Sequence, residues 1–205
     1  MERIAVIDFE TTGISPGTGC RATEVAVVML EGGRIVERYQ SLMNAGVPVP
    51  AFVAGLTGIT TAMLRSAPPV DKVMNEVAEF VGGTPLLAHN AAFDQKFWDF
   101  ELSRIGRSRS QPFACSLLLS RRLLPAAPNH KLGTLTRWLG CQTRGPRTGP
   151  WPMPKWPPTC CSIWRVCCTR TTGFSNCRTS CFAGCRRPRL RSCAKRWPST
   201  AGISQ

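Results

Sequence analysis

Residues 4–13, IAVIDFETTG, carry the most information in this chain. A short apolar run ends with Asp8 and Glu10 two positions apart, and Thr11, Thr12 and Gly13 follow at once. In an extended strand a spacing of two points both side chains to one face. Two carboxylates on one face repel each other, and a divalent cation between them is the simplest remedy. A lone Asp-x-Glu is equally well an acidic strand end, so a second segment matters. Residues 84–94, TPLLAHNAAFD, read as a buried strand that breaks at His89 and Asn90 and leads into a helix bearing Asp94. A third carboxylate therefore sits beside a strand end. Oxygen-only donors suit Mg²⁺ or Mn²⁺, whereas zinc would want His and Cys.

Working outward, residues 24–30 and 34–43 flank Glu31, Gly32 and Gly33 and read as a β-hairpin after the first strand. Apolar residues at Val70, Val73, Met74, Val77, Phe80 and Val81 follow a helical period. Further helices are expected over 92–105, 116–124 and 131–139. Three meandering strands, then a strand between helices, indicate a mixed α/β sheet flanked by helices, of the ribonuclease H-like kind.

AVIDFETTG, LTGIT at 56–60 and LLAHNAAFD together resemble the first two motifs of the DEDD exonucleases, and most of all the epsilon proofreading subunit of bacterial replicative DNA polymerase III. The resemblance runs nearly unbroken from Met1 to about Gly140. It implies a 3′-to-5′ exonuclease of proofreading or repair type, with Asp8, Glu10 and Asp94 as catalytic ligands of two Mg²⁺ or Mn²⁺ ions. Two ions so held can clamp a scissile phosphate, one activating water and the other stabilising the leaving 3′ oxygen. The product would be a nucleoside monophosphate. The resemblance also assigns Thr11 and Thr12 to the terminal nucleotide, together with an apolar wedge at Leu56 and Ile59, two residues that core packing explains equally well. The implied partners are DNA 3′ ends, with RNA left open, and a DNA polymerase subunit. His89 precedes the second motif, does not correspond to the family's catalytic histidine, and is read as structural.

The family's third motif should follow His130, Lys131, Leu132 and Gly133 and read roughly His-Arg-Ala-x-x-Asp-Ala, supplying a general base and a fourth carboxylate. It is absent. Residues 141–205 hold no Asp or Glu, but twelve of the 26 Lys and Arg, nine of the eleven Cys and four of the six Trp. Residues 1–140 balance twelve acids against fourteen bases, so nearly all of the net charge of +14 lies in the tail. Such a tail suggests a basic nucleic-acid arm, a metal module or a gene read in the wrong frame. Basic arms rarely carry so many Cys and Trp. The adjacent pairs Cys160-Cys161 and Cys167-Cys168 are a poor start for a zinc tetrahedron.

The frame reading is testable on paper by joining the third base of each codon to the first two of the next. Trp151-Pro152, Met153-Pro154 and Trp156-Pro157 then each encode Ala without choice, because Trp and Met have single codons. The surrounding codons permit His-Arg-Ala-Leu-Ala-Asp-Ala-Glu-Met-Ala, which is the missing motif. Each cysteine pair yields a forced leucine in that frame, at Cys161 and Cys168, seven apart as on one helix face. The expectation is therefore an exonuclease domain over 1–140 lacking its third motif. The change of frame falls near Gly140 and Cys141, and an irregular basic tail over 141–205 leaves the sheet incomplete at its C-terminal end. Loss of the general base alone typically costs about 10² to 10⁴ in rate. The alternative is a catalytically dead domain that binds nucleic acid or a polymerase.

Met1, Glu2 and Arg3 precede an apolar stretch too short for a signal peptide, no run approaches transmembrane length, and Cys20 and Cys115 alone fit a cytoplasmic protein.

Overall fold

The computed structural model describes residues 3–140. The expectations about the tail concern residues 141–205, which lie outside the described residues.

Five strands form one mixed sheet in the order β3-β2-β1-β4-β5. Strand β1, Arg3–Thr11, pairs antiparallel with β2, Ala22–Glu31, which pairs antiparallel with β3, Arg34–Leu42. The β2–β3 turn is the two residues Gly32 and Gly33, both at positive φ, where glycine avoids the steric cost of a side chain. Strand β2 is buried along nearly its whole length, as its near-continuous run ATEVAVVMLE requires. The outer strand β3 exposes Arg34, Glu37 and Arg38, charges that discourage a further strand from adding to that edge. On the other side of β1 lie β4, Leu86–Ala88, and β5, Phe113–Cys115, both parallel to it.

The expected hairpin, the strand before His89 and four helices are all present: α3 Val70–Val81, α4 Ala92–Arg104, α5 Ser116–Leu123 and α6 Leu132–Trp138. Two short helices, α1 Ala51–Thr57 and α2 Thr61–Arg65, and the three-residue β5 were not read from the sequence. None is long enough to show a period. The larger core lies on one sheet face, where Ile7, Phe9, Val25 and Val27 meet Val73, Met74 and Val77 of α3 and Phe97, Trp98 and Leu102 of α4. The opposite face carries Ile4, Val6, Val28, Leu30 and Leu87, with Leu119 of α5 and Leu132 of α6 against it.

A buried ion pair fixes α4 to the first hairpin. The Arg21 guanidinium grips Glu101 with two parallel bonds, Nε to Oε1 at 2.9 Å and Nη2 to Oε2 at 2.8 Å. Glu101, 1% exposed, also accepts from the Ala22 backbone N–H at 3.2 Å. Arg21 in turn meets Thr12 twice, donating its N–H to the hydroxyl at 3.0 Å and accepting the Thr12 N–H at 2.9 Å. Truncating one partner of such a pair leaves the other charged and desolvated, at a cost of about 3–5 kcal/mol. Glu101→Ala is accordingly predicted to lower the urea unfolding free energy by about that much. A loss below about 1 kcal/mol, the value of a surface pair, would show that the pair contributes little.

Candidate active site

Strand β1 runs beyond its parallel neighbour. The β1–β4 pairing comprises Ala5–Leu86 and Val6–Leu87, and β4 ends at Ala88 while β1 continues to Thr11. The chain turns away from β4 through His89 and Asn90, whose φ of 70° lies in the left-handed region that Asn tolerates better than most residues. A crevice therefore opens at the carboxyl ends of β1 and β4, the usual ligand position in sheets with parallel strands. The Phe9 N–H, past the end of the ladder, donates to Asp94 Oδ1 at 3.1 Å.

Asp94 sits in the first turn of α4 and is 3% exposed. Burial first, and then the charges of Asp8 and Glu10, push its carboxyl up to about 8, although the Phe9 N–H favours the ionised form. Asp8 is exposed at the crevice and Glu10 is half-buried, both on the sheet face opposite α3 and α4. The three expected carboxylates thus come within electrostatic reach of one another. A β-bulge between Glu10 and Thr11 bends the strand just after them, as bulges near functional sites do.

The sequence reading missed a further acid. Glu24 lies directly across the ladder from Glu10 and is buried, with Gln40 Nε2 donating to it at 2.7 Å. Burial raises its carboxyl above the ordinary range, the Gln40 bond opposes the shift, and Glu10 adds to it. Its position at the start of β2, opposite an acidic strand end, was the available signal. Glu101 was missed as well. It stands seven residues after Asp94, two turns along the same helix face, so two carboxylates of α4 hold the first hairpin.

The turn after β1 is braced by its own side chains. The Thr11 hydroxyl donates to the Gly13 carbonyl at 2.6 Å, and the Thr12 hydroxyl accepts from Arg21. At Gly13 an added Cβ would stand 2.5 Å from Cys20 Sγ, so close approach explains the glycine. Thr11 and Thr12 are both buried, and their hydroxyls are engaged within the turn. The two wedge residues separate. Leu56 on α1 is 65% exposed, and Phe52, one turn earlier, is 80% exposed. Ile59 is 5% exposed and packs with Val49 and Leu64, so its side chain serves the core.

His89 is held at both ring nitrogens. Nε2 lies 3.0 Å from the His130 carbonyl, which can only accept, so Nε2 carries the proton, and Nδ1 then accepts the Ser116 hydroxyl at 2.9 Å. This places the ring as a strut between the β4–α4 turn and α5. Burial lowers its affinity for a further proton.

Among the described residues no three His, Cys, Asp or Glu side chains converge into a finished cage. The donors of Asp8, Glu10 and Asp94 are nonetheless all hard oxygens, and their mutual repulsion is what a divalent cation relieves. The chemistry fits and the number falls short, since the sequence after Gly140 contains no Asp, Glu or His to supply the further carboxylate and histidine.

A family model for exonucleases, RNase_T, matches residues 5–146. The chain belongs to this exonuclease family. Its relatives include the PolC-type DNA polymerase III of Bacillus cereus, 38% identical over 139 residues that make up 67% of this chain and 10% of that protein. A DNA polymerase III subunit epsilon-like protein of Rhodobacter capsulatus is 38% identical over 137 residues, 66% of this chain and 20% of that protein. The chain thus spans a tenth to a fifth of the length of these relatives. Solved exonucleases share the fold. Exonuclease X, in complex with 5′ overhanging duplex DNA, superposes with a TM-score of 0.62 at 22% identity, covering 83% of this chain and 93% of that one. E. coli exonuclease I, in complex with a dT13 oligonucleotide, gives 0.65 at 15% identity, covering 83% and 41%.

His89 generates a pH prediction. Its native value lies below the ordinary 6.5, so near and below that pH the unfolded chain binds more protons. The contribution to stability is fully present above pH 6.5 and is lost as pH falls through the depressed native value. His89→Phe should therefore destabilise more at pH 7.5 than at pH 5, read as urea midpoints at about those two values. An equal loss at both would mean that the ring titrates alike in both states.

Proposed function

We propose that this chain derives from a metal-dependent 3′-to-5′ exonuclease that releases nucleoside monophosphates from DNA ends. Asp8, Glu10 and Asp94 are its catalytic carboxylates. The observation that carries this reading is the crevice beyond the end of β4, where a buried Asp94 is held against the charge of Asp8 and Glu10. Divalent ions, Mg²⁺ or Mn²⁺, would supply Lewis acidity there, lowering the pKa of bound water and neutralising charge on the leaving oxygen. The chain's own residues do the rest. Asp94 takes its orientation from the Phe9 N–H, and a bulge follows Glu10 on the strand beside it. Leu56 and Phe52 offer exposed apolar surface suited to stacking against a terminal base.

The names of the relatives support an association with DNA polymerase III. A cytoplasmic location belongs to the same proposal. Among the described residues no helix is long and apolar enough to cross a membrane. A second reading, a domain that binds 3′ ends or a polymerase without turnover, is favoured by one observation. The family match ends at residue 146, and the sequence beyond contains no His-x₄-Asp motif.

A 3′-labelled oligonucleotide separates the two. Mg²⁺- or Mn²⁺-dependent release of mononucleotide, reduced at least about 100-fold by Asp8→Ala, supports the enzyme. Retained binding without release supports the second reading. Restoring one base near the Gly140 codon is predicted to raise the rate by about 10² to 10⁴, the contribution of a general base. An unchanged rate would remove the frame change from the account.

Asp94→Asn tests the metal directly. It keeps an acceptor for the Phe9 N–H while deleting the repelled charge, so it should raise the melting temperature in EDTA and abolish the further rise that Mn²⁺ gives the wild type. A variant that still responds to Mn²⁺ would place the ion elsewhere.

A further inference from the structure

A cleft with a volume of about 630 Å³ opens beside the β4–α4 turn. Its walls are that turn, one face of α5, and the loop entering α6. Asn90, Leu117, Arg121, Asn129, His130 and Lys131 are among its lining residues, none of which is acidic. Arg121 and Lys131 come from different elements and are both exposed. Two cations and two amides are among the lining of a largely apolar space big enough for part of a nucleotide chain, within the range of about 300–1,000 Å³ common for ligand clefts.

The walls are fixed before any ligand arrives. His89 spans from the β4–α4 turn to the His130 carbonyl and to Ser116 of α5. One helical turn on, the Ser120 hydroxyl donates to the Leu117 carbonyl at 2.9 Å. Its oxygen is then left to accept from His130 Nδ1 at 3.2 Å. Both histidines of the chain are thus spent on framing this cleft, which sets the backbone of Lys131 against α5. The cleft also adjoins the crevice through the chain itself, since Asn90 lines it four residues before Asp94.

We propose that this cleft binds a backbone phosphodiester of the single strand whose 3′ end lies at Asp8, Glu10 and Asp94. The inference rests on the exonuclease reading and extends it by giving the strand a path. The charges divide accordingly. Acids gather where ions would mediate contact with the scissile phosphate, and cations without acids stand where a neighbouring phosphate would need direct neutralisation.

The test uses the full chain, a fluorescent oligo-dT and EDTA, so that binding is read without turnover. Anisotropy titrations across a salt series compare Arg121→Gln/Lys131→Gln with Arg34→Gln/Arg38→Gln. The second pair removes the same charge from β3 at the far edge of the sheet. The cleft pair should weaken binding and reduce the steepness of log K against log salt by about 1.4, or about 0.7 for each lost single-strand phosphate contact. The edge pair should leave that slope as in wild type. Equal effects from both pairs, or none from either, would overturn the proposal. If the cleft pair lost affinity for free thymidine monophosphate while keeping oligo-dT binding unchanged, the site would hold released product and the strand assignment would fall. The mononucleotide-release assay is independent of these titrations. Its failure alongside a slope difference confined to the cleft would overturn the enzyme reading and leave the phosphate site standing.

Discussion

A parallel strand that outlives its partner leaves backbone donors without a ladder, and a buried N–H must find an acceptor elsewhere. Here β1 passes the end of β4, and the Phe9 N–H is met by Asp94 from the first turn of α4. That single bond draws a carboxylate into the interior beside a strand that already carries Asp8 and Glu10. Two turns further along α4, Glu101 receives Arg21 and the Ala22 N–H from the start of β2. The helix is therefore pinned to the first hairpin at two carboxylates on one face. The spacing between Asp94 and the acidic end of β1 follows from that attachment and not from loop conformation.

The arrangement opposes the ordinary preference for stability. Asp94 is driven up to about 8, and Glu24 is raised above the usual carboxylate range, within a chain whose net charge is +14. Arg21 is engaged with Glu101 further along α4. Strongly perturbed carboxylates concentrate at functional sites, which supports the proposed role of Asp94. The neighbouring cleft is largely apolar with Arg121 and Lys131 among its lining residues, and His89 and His130 act as struts beside it.

Most of this was legible in the sequence, for identifiable reasons. The Asp-x-Glu at a strand end fixes which face the acids share. The period over Val70–Val81 is clean enough to give α3 its observed bounds, and Gly32-Gly33 marks the hairpin turn. What escaped was either too short for periodicity or dependent on tertiary contact. α1, α2 and β5 span seven, five and three residues. Leu56 and Ile59, three apart, could not be divided between wedge and core until α1 was seen to leave Leu56 outside and the following Gly58 turn to carry Ile59 inward. The resemblance assigns Thr11 and Thr12 to the terminal nucleotide, and the structure adds that their hydroxyls close the turn through Gly13 and Arg21. Glu24 needed the strand register to appear opposite Glu10.

The central claim is that the acidic crevice exists to hold divalent cations. Crystals grown with Mn²⁺ and measured for anomalous scattering would test it most directly. The account predicts an anomalous peak in the crevice within ligand distance of Asp8, Glu10 and Asp94 oxygens, at about 2.0–2.3 Å as for other hard-cation sites. A crevice without such a peak at saturating Mn²⁺, with all three carboxylates ordered, would contradict it.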